Sequence, residues 1–237
     1  MRARPIVTID GPAGAGKSTV ARALARRLGF LYLDTGAIYR AVALAVSRSA
    51  ELRGQVDLGA GPETLPAPDQ AALGALAAGL DVRFSDSGTR VWLVGEDVSA
   101  AIRTQEIGER ASWISAIPAV RAGVLDLQRR LAGEGGVVAE GRDLGTVVFP
   151  DAEAKFFLTA DVASRARRRT LELQGRGEDA DPVQIRAEIE GRDRRDSERT
   201  AAPLRCPEDA VRVDSSGLSV EAVVDRLASV VSSRQRS

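Results

Sequence analysis

The chain has 237 residues, 44% of them hydrophobic, enough for a substantial core, and its 33 basic side chains balance 33 acidic ones. That balance gives no global basic field for nucleic acid, and the absence of histidine excludes Ser-His and Cys-His nucleophile pairs and removes the commonest zinc ligand. The single cysteine, Cys206, excludes a disulfide framework or thiolate metal cluster and reads as a small filler beside Pro207.

Pro5 to Asp10 is an apolar run that predicts a buried strand, and Ser18 to Leu28 carries Val20, Ala21, Leu24, Ala25 and Leu28 at helical spacings. Between them, Gly11-Pro12-Ala13-Gly14-Ala15-Gly16-Lys17-Ser18, followed by Thr19, satisfies G-x-x-x-x-G-K-[ST]. Strand, glycine loop and helix are the context in which this motif cradles phosphates. Glycines let backbone N–H groups approach the oxygens, and the helix dipole favours the anion. Only two of the 33 basic residues are lysines, Lys17 and Lys155. A compact ammonium at position 17 follows β- and γ-phosphate oxygens where a rigid guanidinium fork does not. Ser18 is the expected ligand of the Mg²⁺ that accompanies ATP.

Leu31 to Asp34 then reads as a short strand and Ala37 to Val46 as a helix. The Gly- and Pro-rich stretch from Arg53 to Asp69 interrupts the rhythm before a helical Gln70 to Gly79. Asp81 to Phe84 and Arg90 to Val94, around Ser85-Asp86-Ser87-Gly88, predict an antiparallel hairpin. A hairpin inside an α/β chain implies an inserted subdomain over about residues 60 to 100. Helical stretches follow from Arg103 to Ile117 and from Pro118 to Leu131, then strands at Val137 to Glu140 and Ala154 to Leu158. Two arginine-rich helices, Ala163 to Gln174 and Pro182 to Arg199, flank Gly175-Arg176-Gly177-Glu178-Asp179, and a strand at Val211 to Asp214 precedes a last helix from Ser219. Five short strands alternating with helices predict an α/β fold with a parallel sheet covered on both faces, within one domain spanning 1–237. No run of 18 apolar residues and no signal region follow Met1, and no long heptad occurs. A cytoplasmic monomer without a membrane partner is expected.

Arg192, Arg195, Asp196 and Arg199 fall on one helical stripe, and Arg165, Arg168 and Arg169 repeat the spacing on the preceding helix. Such a pattern serves either a solvated, self-pairing face or, over about residues 163 to 199, a lid that closes on a triphosphate and excludes water.

Leu33-Asp34-Thr35-Gly36-Ala37-Ile38-Tyr39-Arg40, Glu140-Gly141-Arg142-Asp143-Leu144-Gly145-Thr146-Val147-Val148-Phe149-Pro150-Asp151, Ile102 to Glu106 and Ala201 to Leu204 resemble signatures of the bacterial cytidylate kinases, and the resemblance covers essentially the whole chain. It implies a P-loop nucleoside monophosphate kinase fold: a three-layer fold with a five-stranded parallel sheet, an arginine-rich helical lid and a monophosphate-binding insertion with a small antiparallel sheet. The implied reaction carries the γ-phosphoryl of ATP to CMP or dCMP. By motif, Ser112, Arg121 and Asp143 resemble the residues that read cytosine. Thr35 stands where the family often has serine and keeps the hydroxyl, and Arg40, Arg142 and Arg199 resemble phosphate-gathering or base-site arginines. Arg192 and Asp196 resemble the residues that hold the sugar. Arg192 and Arg199, with Lys17, are the implied catalytic cations, and Glu140 stands where aspartate is expected. A kinase for UMP or AMP, a small-molecule kinase using Asp34 as base, and a nucleotide-dependent protein that holds RNA remain the alternatives. Asp143 could also simply pair with Arg142 or cap a turn.

Overall fold

The structure is a computed structural model that describes every residue except Met1, Ala3, Asp86, Arg176, Glu178, Arg236 and Ser237. Strand β1 (Ile6–Asp10), buried at every position, leads through the glycine loop into α1 (Lys17–Leu28). Gly29 ends that helix in the left-handed conformation, at φ 63°. β2 (Leu31–Asp34) runs directly into α2 (Thr35–Arg48), whose first turn is capped by the Asp34 carboxylate. α3 (Ala67–Gly79) precedes three short strands, β3 (Val82–Phe84), β4 (Val91–Leu93) and β5 (Glu96–Asp97). Thr104 caps α4 (Gln105–Ile114), and Pro118 opens α5 (Pro118–Ala132), where its missing N–H has no helical partner to lose. β6 (Val137–Gly141) is followed by a single-turn π-helix, Leu144–Val148, and by β7 (Ala154–Thr159). The remaining elements are α6 (Val162–Gln174), α7 (Pro182–Glu198), β8 (Val211–Asp214) and α8 (Val220–Arg234).

The large parallel sheet has five strands in the order β2-β6-β1-β7-β8, and β3, β4 and β5 form a separate antiparallel sheet. The chain divides into two compact units, residues 1–30 with 134–237, and residues 31–133. In the first, β1 pairs with β6 and β7, with Ile9 opposite Glu140 and Asp10 opposite Gly141. That register brings the end of β1, where the glycine loop starts, beside the Arg142-Asp143 segment that leaves β6. In the second, α3 packs closely on α5 because both helices carry glycine at the crossing. A Cβ on Gly74 would lie 2.8 Å from the Ala119 Cβ, and one on Gly123 would lie 2.6 Å from the Gly74 carbonyl.

The hairpin expected from sequence gains a third strand. Val94 at φ 50° and Gly95 at φ 82° reverse the chain, and Glu96 and Asp97 pair with Leu93 and Trp92. Both are exposed acids, so no apolar alternation announces them. The helix expected over 103–117 starts after its Thr104 cap and stops at Ile114. Cys206 is exposed instead of filling a turn. Lys155 is buried, its ammonium donating to the Pro150 carbonyl at 2.6 Å and pairing with Asp209 at 2.8 Å. Asp86 of the hairpin turn and Arg176 and Glu178 between the arginine helices lie outside the described residues. Among the described residues no helix is long and apolar enough to cross a membrane.

Candidate nucleotide site

In the first unit, Gly11 turns at φ 150°, where a Cβ would stand 1.9 Å from the Leu158 carbonyl oxygen. Gly14 and Gly16 follow at φ 73° and 87°, so the loop needs glycine for backbone sign at all three positions and, at Gly11, for space as well. Lys17 is buried, and its ammonium donates to the Pro12 carbonyl at 2.7 Å. Burial, joined by the positive Arg142, holds it well below the ordinary lysine value, against the pull of Glu140. The Ser18 hydroxyl donates to the Glu140 carboxylate at 3.0 Å. A longer glutamate in place of the expected aspartate therefore reaches the motif's hydroxyl directly.

Asp196 is the buried hub of the arginine cluster. It accepts from Arg142 Nε at 2.8 Å and lies 3.9 Å from Arg199, whose other nitrogen is 3.6 Å from Asp143. Burial opposes the Asp196 charge, but Arg142, Arg192 and Arg199 together hold its carboxyl below the usual range. Burial likewise opposes the Arg142 charge, and Asp196 and Glu140 outweigh it, so the guanidinium stays above its ordinary value. Lys17, Arg142, Glu140, Arg192 and Asp196 all contribute to one electrostatic environment.

The stripe on α7 does not act as a unit, because Arg195 is exposed while Asp196 is buried. On α6, Arg165 and Arg168 brace the glycine loop. Buried Arg165 donates to the Ala13 carbonyl at 3.0 Å and pairs with Asp193, which accepts the Ala13 N–H at 3.3 Å. Arg168 donates to Ser215, whose hydroxyl donates to the Ala15 carbonyl at 3.2 Å. Arg169 instead pairs along its own helix with Glu172 at 3.0 Å. Arg165 and Arg168 were visible as a spacing, but Asp193 and Ser215 had no sequence signal, because the loop residues they bind, Ala13 and Ala15, lie 180 and 200 residues away in the chain.

The second unit holds the other motif residues. Asp34 accepts the Ala37 N–H at 3.0 Å and Arg40 Nη2 at 2.8 Å, and Arg103 lies 3.8 Å away. A carboxylate so engaged is a helix cap and arginine tether, not a group presented as a base. Thr35 is the buried first residue of α2. The buried Ser112 hydroxyl has no hydrogen-bond partner among the described residues. Nearby, the Ser115 hydroxyl donates to the Ser112 carbonyl at 2.9 Å, and Arg121 donates to the Ser115 carbonyl at 3.1 Å while its guanidinium sits 5.4 Å from the Tyr39 ring centroid.

The family model described as cytidylate kinase matches residues 7–233. The chain belongs to the cytidylate kinase family. It is 49% identical over 234 residues to a cytidylate kinase of Geobacter sulfurreducens, covering 98% of this chain and 94% of that protein. It is 51% identical over 230 residues to one of Methylococcus capsulatus, covering 97% of each. A bifunctional pantoate ligase/cytidylate kinase of Synechococcus elongatus is 49% identical over 234 residues, which cover 94% of this chain and 41% of that longer protein. Within this cytidylate kinase family chain, the buried lysine, the braced glycine loop and the Asp196 cluster all belong to the first unit.

Proposed function

We propose that the protein transfers the γ-phosphoryl group of ATP to CMP or dCMP, giving ADP and CDP or dCDP. What carries the reading is the buried Lys17 sharing its surroundings with Arg142 and Arg192 at the end of a braced glycine loop, in a chain matched by its family over residues 7–233. The donor triphosphate lies along Gly11 to Thr19, where backbone N–H groups and the α1 N-terminus face its oxygens. The acceptor's phosphate is assigned to Arg40, Arg142 and Arg199, its sugar to Arg192 and Asp196, and its base to Ser112, Arg121 and Asp143, with Thr35 supplying a further hydroxyl.

No general base is required. A phosphate monoester has its second pKa near 6, so the attacking oxygen is already ionised at neutral pH. Catalysis rests on alignment and on cations around the transferred group. Proximity to the triphosphate favours the charged form of Lys17, offsetting the burial that lowers its pKa. The Ser18 hydroxyl beside Glu140 is an oxygen-only donor set, and among the described residues no three acidic, histidine or cysteine side chains gather elsewhere to hold a metal. That set fits a Mg²⁺ that keeps waters and phosphate oxygens as its other ligands. Ser18 and Glu140 would hold it, and it would neutralise charge on the β- and γ-phosphates. Arg142, Arg192 and Arg199 supply planar forks around the remaining oxygens, and α6 and α7 act as the lid.

Base choice follows from acceptor chemistry. The Asp143 carboxylate accepts from the cytosine 4-amino group, whereas uracil presents another acceptor there. Incubating the protein with ATP and CMP and separating the nucleotides by ion exchange tests the reading. CDP and ADP appearing in equal amounts support it, and ADP without CDP overturns it.

A further inference from the structure

Asp10 is the last residue of β1, fully buried, and distinct from every group assigned above to substrate. Its two carboxylate oxygens accept the first two N–H groups of the π-helix, Leu144 at 2.9 Å and Gly145 at 2.8 Å. An aspartate preceding a helix ordinarily accepts such donors with its own side chain. Asp143 stands in that place and makes no cap of this kind; its carboxylate instead lies 3.6 Å from Arg199. The segment is anchored again just beyond its end, where Lys155 donates to the Pro150 carbonyl at 2.6 Å.

We propose that Asp10 is a positioning residue for acceptor recognition: by capping the π-helix from β1 it releases the Asp143 carboxylate for the substrate side and fixes its angle. The inference rests on the reading of Asp143 as the base-reading group. It also ties the two halves of the reaction together, because the residue after Asp10 is Gly11, the first of the phosphate loop. An ionised carboxylate accepts both N–H groups, whereas a protonated one offers an O–H toward one of them and loses that bond. The charged groups around Asp10 are Lys17 on α1, Asp143 before the π-helix and, as a thiol, Cys206 in the segment before β8. Burial pushes the Asp10 carboxyl up to about 6, Asp143 adds to the rise, and the two backbone donors and Lys17 offset it only in part. With no histidine in the chain, this carboxyl gives the acceptor site its own titration in the neutral range.

The test compares Asp10→Asn with the unaltered protein in steady-state kinetics from pH 5.5 to 8. The acceptor's own phosphate titrates in this window, but it does so equally for both proteins, so their ratio isolates Asp10. At pH 8 the variant is expected to have a KM for CMP about tenfold higher. Its KM for ATP should stay within about twofold, and the CMP ratio should shrink toward one at pH 5.5. Equal changes in both KM values, or a ratio flat with pH, would overturn the proposal. Amide hydrogen exchange on the unaltered protein gives a second readout that needs neither a folded variant nor any substrate. Protection of Leu144 and Gly145, corrected for intrinsic exchange, should fall between pH 8 and 5 while the β1 amides stay protected; unchanged protection at both sites would refute it. Because exchange uses no substrate, its outcome is separable from failure of the kinase reading itself.

Discussion

Replacing Asp196 by asparagine removes the central negative charge of the arginine cluster while keeping its shape. The Arg142 contact at 2.8 Å is worth about 6 kcal/mol gross at an effective dielectric of about 20, and the Arg199 contact at 3.9 Å about 4. Desolvating the carboxylate takes back several kcal/mol, and the asparagine oxygen keeps a neutral hydrogen bond to Arg142 worth about 1 kcal/mol. The net expectation is a loss of about 2 to 4 kcal/mol of unfolding free energy. Urea unfolding followed by circular dichroism measures it. The pH dependence carries a sign. Asp196 is held below its ordinary pKa, so its contribution is complete above the unfolded value near 3.9 and is lost only as pH falls through the lowered one. The gap between variant and parent should be constant from about pH 7 down to about pH 5 and close in stronger acid. A loss under about 1 kcal/mol, or a gap that closes between pH 7 and 5, would refute the reasoning.

Lys17→Met should abolish phosphoryl transfer yet unfold at the same or a higher urea concentration, because it removes a buried cation whose charge the fold disfavours; clear destabilisation would contradict this. Asp143→Ala should lower kcat/KM for CMP by about 5- to 100-fold and erode the preference over UMP, while ATP affinity, read by calorimetry, stays close to that of the parent. Gly145→Ala should cost about 1 to 3 kcal/mol, since its Cβ would meet Pro207 at 2.9 Å, Lys155 at 3.2 Å and Thr8 at 3.3 Å; thermal unfolding checks it. For Asp10, whose pKa is raised to about 6, linkage runs opposite to Asp196. Its contribution is fully present below the ordinary value near 3.9 and lost as pH rises through about 6, some 3 kcal/mol in all. The Asp10→Asn protein should lack that slope in urea titrations.

The glycine loop could be read almost letter by letter because it is local: eight consecutive residues and their flanking strand and helix specify it. The parallel sheet was equally legible, since buried strands are continuous apolar runs. What escaped depends on long-range pairing. Asp10 was read as the end of a strand, and only the β1–β6 register reveals the two N–H groups it caps. Asp193 belongs to no motif, and only the fold sets it against Ala13. Lys155, on an apolar strand, gave no hint of Pro150 and Asp209 as its partners. The short β5 strand was hidden because two exposed acids carry no hydrophobic period. Helix spacing grouped Arg195 with Arg192 and Arg199, but spacing alone does not say which edge of a stripe faces solvent.

Initial rates of ADP release with ATP and each of CMP, dCMP, UMP and AMP test the central claim most directly. CMP and dCMP are expected to stimulate release strongly, UMP less, and AMP hardly at all, with the corresponding diphosphate forming in step. Release fastest with AMP, or unchanged by every monophosphate, would contradict the account.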